Sequence, residues 1–315
     1  MRSEVICLGI LVADVVAKPV KKIPERGKLE LVDRMELHLG GCAANTGVCL
    51  ARLGVKTGII GKVGQDGFGD FLIERFKREG MEVEAIKRDN LANTSVTMVM
   101  VDEEGERTFI HYIGANATLR EEEIALELFP EAKILHLAGF YLMPGFDGEP
   151  ASRVLKKAKD KGLTTSLDTC WDSKGRWLSL LRPCLEVTDI FLPSIEEAKE
   201  ISGEKDPEEI ARFFLKAGVK IVGLKMGAQG SFIASAKESF RLKPYQIKVV
   251  DATGAGDAFV AGFLAGMVQG LGLRETGKLA NATGAAAVSA MGATDGVRSL
   301  AQVKKIMETQ CPAQK

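Results

Sequence analysis

One short segment of the chain combines the residue types that phosphate chemistry needs: DATGAGD, residues 251–257. Residues 254–256 precede a nearly all-apolar, helix-compatible run, so they should lie at a helix N-terminus, where backbone N–H groups lack partners and favour an anion. Asp257 falls in the first helical turn and would repel that anion. Its presence suggests a base held next to a transferring phosphate. The alternative is a tight turn in which Asp257 only favours the start of the helix.

The spacing of the glycines excludes two other phosphate-binding loops. The chain contains no Walker A pattern GxxxxGK[ST], and the dinucleotide pattern GxGxxG fails because Phe259 occupies the position of its third glycine. A strand is predicted over 247–250, directly before the glycines. A second helix of small residues, predicted over 279–288, should pack closely against another buried helix.

The elements that must position this segment alternate between strands and helices. A buried strand is predicted near residues 5–10, a helix over 43–53, a strand over 55–60, and helix–strand pairs from residue 121 to residue 224. This alternation predicts an α/β fold with a mostly parallel sheet covered on both faces. The β-rich segments 15–40 and 94–113 do not fit it. They are predicted to form one small separate sheet, such as a lid, with short strands including 29–32.

Composition narrows the function classes. The 315 residues include 42 Lys+Arg and 42 Asp+Glu, a formal net charge of zero, which argues against nucleic acid as the main partner. No apolar run is long enough for a membrane span and no secretory signal is visible, so a cytoplasmic protein with no membrane partner is expected. The cysteines lack zinc spacing and should be reduced thiols: Cys7, Cys42, Cys49, Cys170, Cys184 and Cys311.

The sequence resembles the ribokinase-like, or PfkB, carbohydrate kinases. One signature is GGCAANTG at 40–47, continued by LG at 53–54 and GKVGQDGFG at 61–69, and the other is the segment 251–257. Residues 114–119 and 193–198 also resemble family segments, in the expected order. The resemblance implies a single ribokinase-like domain over 1–315. It would have a three-layer α/β/α core with a mostly parallel sheet, and a small β-sheet lid formed by about 15–40 and 94–113.

The resemblance also implies roles for individual residues on the acceptor side. Asp257 matches the catalytic base, and the amides of Gly254, Ala255 and Gly256 match the anion hole. Positions matching those that bind acceptor hydroxyls are Asp14, Gly40, Gly41 and Asn45. A structural reading remains open for two of them, because Asn45 could brace a helix and Asp14 could end a strand. Arg107, in the lid, could contact the acceptor or simply solvate the sheet.

On the donor side the resemblance implies ATP and Mg²⁺, with K⁺ as a monovalent activator. Lys225, Gly227 and Gly230 match a loop that contacts ATP, and Asn281 matches a position near the adenine. Ser194 stands where many members have Asn beside the nucleotide. The matched metal positions are Glu197 for magnesium and Asp251, Thr253 and the backbone of Ala290, Gly292 and Gly296 for the monovalent cation.

Departures from the family pattern bear on the acceptor. Cys42 replaces a Lys that is common in the ribokinase and phosphosugar branches, which argues against an acceptor that already carries a phosphate. Residues 168–172 lack the Asn and Arg of the fructokinase and ketodeoxygluconate kinase type, which disfavours a carboxylate-bearing acceptor. We therefore expect an ATP-dependent kinase of an unphosphorylated sugar, pentose or hexose. Of the histidines, His136 should be a core residue, and His111 could face the substrate.

Two other functions remain as alternatives. A nucleoside kinase of the same family would need an aromatic residue against the base, and residues 15–40 contain none. A non-catalytic sugar- or nucleotide-binding regulator would be expected to have lost the base or the glycines, and both are present. An isolated small sheet would be marginally stable, so a homodimer that pairs two lids is also expected.

Overall fold

The structure is a computed structural model that describes residues 2–309, so Cys311 lies outside the described residues. Its strands are β1 (Val5–Gly9), β2 (Val12–Lys18), β3 (Arg34–Gly40), β4 (Thr57–Gly64), β5 (Ile86–Asp89), β6 (Val96–Val101), β7 (Arg107–Tyr112), β8 (Ile134–Phe140), β9 (Thr164–Thr169), β10 (Ile190–Phe191), β11 (Ile221–Lys225), β12 (Ser231–Ser235) and β13 (Ser239–Leu242).

The α-helices are α1 (Cys42–Arg52), α2 (Gly67–Arg78), α3 (Glu149–Asp160), α4 (Trp177–Leu185), α5 (Ile195–Ser202), α6 (Pro207–Lys216), α7 (Ala255–Val268), α8 (Leu273–Ala287) and α9 (Leu300–Thr309). Within the described range, no helix combines the length and the apolar character that crossing a bilayer requires.

The main sheet has nine strands in the order β13-β12-β11-β10-β9-β8-β1-β4-β5. The strands from β11 to β5 pair in parallel, and β12 and β13 extend the sheet in antiparallel fashion. Both faces are buried, as expected of a parallel sheet. On β1, Val5 and Cys7 belong to one core cluster, whereas Ile6 and Leu8 belong to the other.

The two core clusters define the two helical layers. One contains buried residues of α1, α2, α7, α8 and α9, and the other contains buried residues of α3, α4, α5 and α6. The expected three-layer α/β/α core with a mostly parallel sheet is therefore confirmed. Because a parallel sheet places the carboxyl ends of its strands at one edge, the loops after β1, β8, β9 and β11 meet there.

The small sheet, which we call the lid, is also confirmed. It has four strands in the order β3-β2-β6-β7, with β2 and β6 parallel and the outer pairs antiparallel. The register places Asp14 opposite Thr97 and Thr97 opposite His111 on one face. The other face carries a row of exposed apolar side chains: Met35, Leu37, Met98, Ile110 and Tyr112.

Several predicted elements were wrong. No strand forms over 29–32, where Leu29 and Leu31 are exposed, nor over 247–250, where Val249 and Val250 are exposed. These runs have strand-like composition, but β-propensity is realised only when a neighbouring strand pairs with the segment. The predicted helix over 121–128 is two short 3-10 turns, Glu121–Glu123 and Leu126–Leu128. Strands β12 and β13 were not predicted.

Candidate active site

Two cavities lie on opposite sides of the 251–257 segment. The lid cavity, about 480 Å³, lies under the lid and is lined by Gly254 and Asp257 among others. The α8 cavity, about 360 Å³, is lined by Ala255 and Gly256 and by one side of α8. The glycine loop, residues 254–256, therefore borders both cavities, with Gly254 on the lid cavity and the next two residues on the α8 cavity.

Asp257 lies in the first turn of α7 and is fixed by helix α1. Its Oδ2 accepts a hydrogen bond of 2.8 Å from Asn45 Nδ2, and its backbone oxygen accepts one of 3.3 Å from the Thr46 hydroxyl. Loss of hydration raises the pKa of Asp257, while the Asn45 hydrogen bond acts in the opposite direction. A carboxylate of raised pKa in a cavity is suited to accept a proton.

Asn45 shows an unused bonding capacity toward the lid cavity. Its Oδ1 is buried and accepts no hydrogen bond from any described residue, although its amide nitrogen is bound to Asp257. Buried polar atoms in native proteins are almost always paired. A hydroxyl donor from a bound molecule in the lid cavity would satisfy this oxygen. A role in bracing α1 alone does not account for the hydrogen bond to Asp257 and the unpaired Oδ1.

The glycine loop requires its small residues. Gly254 is the N-cap of α7 with φ 71°, and a Cβ there would lie 2.2 Å from the Ala293 carbonyl oxygen. Only glycine fits this left-handed, closely packed position. The Ala255 amide already donates a 3.3 Å hydrogen bond to Ala252, with which an approaching anion would have to compete. Gly256 lies beside Lys225, whose Nζ would be 3.5 Å from a Cβ on that glycine.

Asp251 ties this loop to residues 290–296. Its Oδ1 accepts from the Thr253 amide at 2.8 Å and its Oδ2 from the Gly292 amide at 2.9 Å. Arg107 of the lid forms an ion pair with the same carboxylate. Arg107 lines the lid cavity, as substrate contact requires, but its charge is already matched by Asp251. Neither of the two predicted roles included this ion pair.

The monovalent-cation positions are brought together in part. Thr253 and Gly292 line the lid cavity near Asp251, but the Gly296 carbonyl already accepts a hydrogen bond of 2.9 Å from Gln302. Ala290 lies two residues before Gly292 in the same loop. No cluster of three or more His, Cys, Asp or Glu side chains suited to a metal occurs between residues 2 and 309. A cation here would have to rely mainly on backbone oxygens.

Asp14 projects from β2 into the lid cavity. Burial raises its pKa to about 6, and a hydrogen bond with Thr97 partly offsets that effect. Gly40 provides the space for it, because a Cβ there would lie 2.1 Å from Asp14 Oδ2. Gly41, with φ 93°, caps α1, and a Cβ there would lie 2.5 Å from the Ile10 carbonyl oxygen. The two glycines thus allow Asp14 and the start of α1 to face one cavity.

Part of the lid cavity is lined by apolar side chains, which the sequence reasoning missed, although the charged Lys18, Arg34 and Glu36 of β2 and β3 line it as well. Val16, Val99, Val101 and Phe109 line it from alternate positions of the lid strands, and Met291 closes it from the 290–296 loop. The period-two alternation of β6 and β7 could have revealed this face once the strands were paired. His111 also lines the cavity, and its Nδ1 lies 3.0 Å from the Thr97 hydroxyl. Burial lowers the pKa of His111.

Two thiols meet at the inner wall of the lid cavity. Cys42 Sγ and Cys170 Sγ are 3.4 Å apart, and both residues line the cavity. The contact with Cys170 and burial raise the pKa of Cys42. This wall therefore presents two thiols, and Cys42 stands where many family members carry a lysine.

The α8 cavity has an apolar slot and one charged end. Its slot is bordered by Pro244, Tyr245, Val249, Phe259, Ala285 and Val288. Lys225, Gly227, Gly230 and Asn281 line it as expected, and among its described lining residues Lys225 alone is charged. Gly230 has φ 86°, and a Cβ there would lie 2.0 Å from the Leu242 carbonyl oxygen. Asn281 Nδ2 donates to the Lys243 carbonyl at 3.1 Å.

Ser194 and Glu197 form a helix cap that lines neither cavity. Ser194 Oγ accepts from the Glu197 amide at 3.3 Å, and Glu197 Oε2 accepts from the Ser194 amide at 3.1 Å. This reciprocal pair is a capping box that begins α5. The Thr169 hydroxyl also donates to Glu197 Oε2 at 3.0 Å. Glu197 nevertheless acts electrostatically on Lys225, so it lies near the charged end of the α8 cavity.

His136 is a core residue, as predicted. It is fully buried in β8, and its Nδ1 lies 3.0 Å from the Ser166 hydroxyl. Burial lowers its pKa to about 3, so the ring is neutral at physiological pH.

Comparison with known proteins decides the family. The model of the pfkB family carbohydrate kinases matches residues 2–300. The chain belongs to the pfkB family of carbohydrate kinases. The predicted resemblance is confirmed, and with it the expectation of an ATP-dependent carbohydrate kinase.

Relatives of this pfkB chain are similar over most of its length. An uncharacterized sugar kinase from Archaeoglobus fulgidus is 34% identical over 248 residues, 79% of this chain and 97% of that protein. The 2-dehydro-3-deoxygluconokinase of Bacillus subtilis is 30% identical, covering 91% of each chain. A protein described as ribokinase II from E. coli, solved with ATP and Mg²⁺, superposes with a TM-score of 0.84 at 27% identity, over 98% of this chain and 99% of that one.

Proposed function

We propose that the protein transfers the γ-phosphoryl group of ATP to a hydroxyl of an unphosphorylated sugar, a pentose or hexose. The observation that carries this proposal is the shared glycine loop. Gly254 and Asp257 face the lid cavity, whereas Ala255 and Gly256 face the α8 cavity. Two substrates bound in these cavities would meet at the N-terminus of α7, where backbone amides and the helix dipole favour a phosphate.

The α8 cavity suits ATP. Its apolar slot can take a flat base, and Asn281 offers the polar contact expected there. Lys225 at the other end, beside Gly256, provides the positive charge that phosphates require. The E. coli ribokinase II was solved with ATP and Mg²⁺, which supports the same donor here.

The transfer needs one proton acceptor and one site for developing negative charge. Asp257 takes the proton of the attacking sugar hydroxyl as its oxygen bonds to the γ-phosphorus. The bond from that phosphorus to the β–γ bridging oxygen breaks, and ADP leaves with the electron pair. The amides of residues 254–256 then stabilise the charge on the transferring group. Asn45 keeps the Asp257 carboxylate turned toward the acceptor.

The residues present suit Mg²⁺ and K⁺ to different degrees. Glu197 has the hard carboxylate oxygens that Mg²⁺ prefers, near the charged end of the α8 cavity. Bound Mg²⁺ would neutralise phosphate charge. For K⁺, Asp251, Thr253 and the carbonyls of 290–296 supply oxygen, although two amides and Arg107 already engage the Asp251 carboxylate. A monovalent cation bound by these residues would therefore affect the anion hole only through the backbone that joins them to residues 254–256.

The inner part of the lid cavity supports a hydroxyl-rich, uncharged acceptor. Asp14 and the unpaired Asn45 Oδ1 can accept hydrogen bonds from sugar hydroxyls. The thiols of Cys42 and Cys170 offer no charge to a phosphate. Arg107, which lines this cavity, is neutralised by Asp251, whereas Lys18 and Arg34 line the cavity from the lid strands.

A nucleoside acceptor is the second candidate, because of Phe109. This ring faces the lid cavity next to Val16, Val99 and Val101, so an aromatic residue is present although segment 15–40 has none. The lid cavity thus combines polar groups at its inner end with an apolar stretch that includes an aromatic ring, which also matches a ribose joined to a base. Activity on adenosine or inosine, with none on free sugars, would favour this candidate.

We further propose a cytoplasmic homodimer that pairs through the lid. The exposed apolar row on the outer lid face gives a second copy a surface to cover. The described cysteines are all free, which suits a reducing compartment.

An ADP-release assay over a panel of acceptors tests the function. The panel includes free pentoses and hexoses, sugar phosphates, nucleosides and 2-dehydro-3-deoxygluconate, each with Mg²⁺ and with or without K⁺. Turnover on a free sugar is expected. Turnover restricted to sugar phosphates or to the sugar acid would contradict the acceptor assignment. Silence across the panel, with ATP binding measured separately, would leave a binding role.

A further inference from the structure

Asp168 and Lys225 form a buried ion pair at the charged end of the α8 cavity. Lys225 Nζ lies 2.5 Å from Asp168 Oδ2, and the two side chains are only 14% and 4% exposed. Asp168 belongs to β9, and Lys225 is the last residue of β11. The short strand β10 lies between them, so the pair crosses its carboxyl end. This edge of the sheet is the one that faces the glycine loop.

The ammonium group of Lys225 points toward the glycine loop. A Cβ on Gly256 would lie 3.5 Å from Lys225 Nζ. Burial acts to lower the pKa of Lys225, but the carboxylates of Asp168, Glu197 and Asp257 raise it, so the side chain remains charged. A lysine is a long, flexible point charge, and holding it at one place requires a fixed partner.

Asp168 has the properties of that fixed partner. Its Oδ1 accepts a hydrogen bond of 2.9 Å from the Thr169 amide, which leaves Oδ2 directed at Lys225. Asp168 itself lines neither cavity, so it has no direct route to a bound nucleotide. Lys225, which does line the α8 cavity, is the group through which Asp168 can act on a nucleotide there.

We propose that Asp168 is a positioning residue that holds the Lys225 ammonium against the glycine loop, where it meets the phosphates of the donor nucleotide. This inference rests on the proposed binding of ATP in the α8 cavity. The competing explanation is that the pair only stabilises the fold, as buried ion pairs elsewhere in a protein can do. The sheet offers a comparison, because Asp189 binds Lys159 at 2.7 Å and Lys220 at 2.8 Å without lining either cavity.

The test measures nucleotide binding to purified full-length variants by displacement of a fluorescent ATP analogue. Asp168→Asn is expected to weaken MgATP binding by about 10-fold to 100-fold, the loss that follows when a hydrogen bond to a charged group is misplaced. Adenosine, which has no phosphates, should compete within about twofold of wild type if the slot is intact. The matched control Asp189→Asn should leave both ligands unchanged.

A double-mutant cycle shows whether Asp168 acts through Lys225. Lys225→Met should weaken MgATP binding by itself, and adding Asp168→Asn to it should cause no further loss. If Asp168→Asn alone fails to fold, the double variant, in which both residues are neutral, can still be compared with Lys225→Met. Additive losses, equal loss of adenosine binding, an unaltered affinity for MgATP in Asp168→Asn, or the same loss in Asp189→Asn would each overturn the proposal. Wild-type protein that binds no MgATP would overturn the donor assignment as well.

Discussion

Asp257 and Asn45 are 212 residues apart in sequence and joined by one hydrogen bond of 2.8 Å. We predict that Asp257→Asn lowers kcat by about 10²–10⁴, the usual contribution of general base catalysis. Binding of ATP should persist, because Asp257 does not line the α8 cavity. Steady-state kinetics on the acceptor found in the panel would measure this.

A matched control for that variant is Asp160→Asn on the exposed surface of α3, where Lys156 is the one ion-pair partner of the carboxylate among residues 2–309. It should leave kcat unchanged. Retention of full activity by Asp257→Asn would contradict the assignment of the base. A loss of the same size in Asp160→Asn would show a general effect of the substitution.

Asp14 should give the reaction a pH dependence of its own. Its pKa is raised by burial to about 6, so below that pH the carboxyl becomes protonated and loses acceptor capacity for sugar hydroxyls. We predict that KM for the acceptor rises as pH falls through 6. Asp14→Asn should weaken acceptor binding by about 10-fold to 100-fold and remove this pH dependence from KM. Kinetics from pH 5 to 8 would show it.

The same carboxyl should cost stability in the folded state. Since its pKa is raised on folding, the folded protein binds the proton more tightly, and its stability falls as pH rises from 3.8 through about 6. At pH 7 Asp14→Asn should therefore be at least as stable as wild type in urea unfolding. A strongly destabilised variant would indicate a structural role instead of an acceptor-binding one.

At the scale of single residues, sequence signatures indicated which side chains to examine. Their partners were not readable, because each contact joins distant parts of the chain. Arg107 meets Asp251, Cys42 meets Cys170, and Asp168 meets Lys225 only after the sheet has formed. The resemblance assigned Ser194 to the nucleotide and Glu197 to magnesium, and in the structure the two residues form a capping box.

Helices α7 and α8 position the glycine loop and Asn281, and they pack at very close range. A Cβ on Gly262 would lie 2.5 Å from Thr283 Oγ1 and 2.8 Å from Ala280 Cα. We predict that Gly262→Ala lowers the free energy of unfolding by about 1–3 kcal/mol through overpacking. Urea denaturation would measure the change.

The matched control is Gly67→Ala in α2, where no atom beyond its chain neighbours and the backbone of its own helix lies within 4 Å of the added Cβ. Because alanine favours a helix more than glycine does, this variant should be neutral or stabilised by up to about 1 kcal/mol. Equal behaviour of Gly262→Ala and Gly67→Ala would refute the role of close α7–α8 packing.

Periodicity predicted most elements of the core but not the edges of the sheet. The central parallel strands β1 and β8 are largely apolar runs, which local sequence reveals. The predicted strand at 247–250 does not form, because no neighbouring strand among residues 2–309 pairs with these residues. Of their backbone amides, only that of Val250 donates a hydrogen bond within the described chain, to the Val288 carbonyl. Strands β12 and β13 form in antiparallel pairing after β11, in a stretch that the helix–strand alternation did not cover.

For the whole molecule, we predict a dimer whose interface includes the outer lid face. Ile110 is 61% exposed and lies on the edge strand β7 of that face, opposite Met98 of β6. Ile110→Glu should shift the protein to monomer at micromolar concentration, because a buried unpaired charge is costly. Sedimentation velocity would show the shift.

Leu271→Glu, in the turn between α7 and α8 and 38% exposed, is the control for that experiment. It should leave the assembly unchanged. A wild-type protein that sediments as a monomer, or a dimer indifferent to Ile110→Glu, would reject pairing through the lid.

The sequence by itself determined the family, the layered α/β core, the lid and the glycine loop, because these depend on short motifs and on local periodicity. Only the tertiary structure decided which groups face each other. It placed Gly254 and Asp257 in one cavity and Gly256 and Lys225 in the other, and it turned Phe109 toward the first. Strand order and register create these contacts, and they arise from long-range packing that no local stretch of sequence encodes.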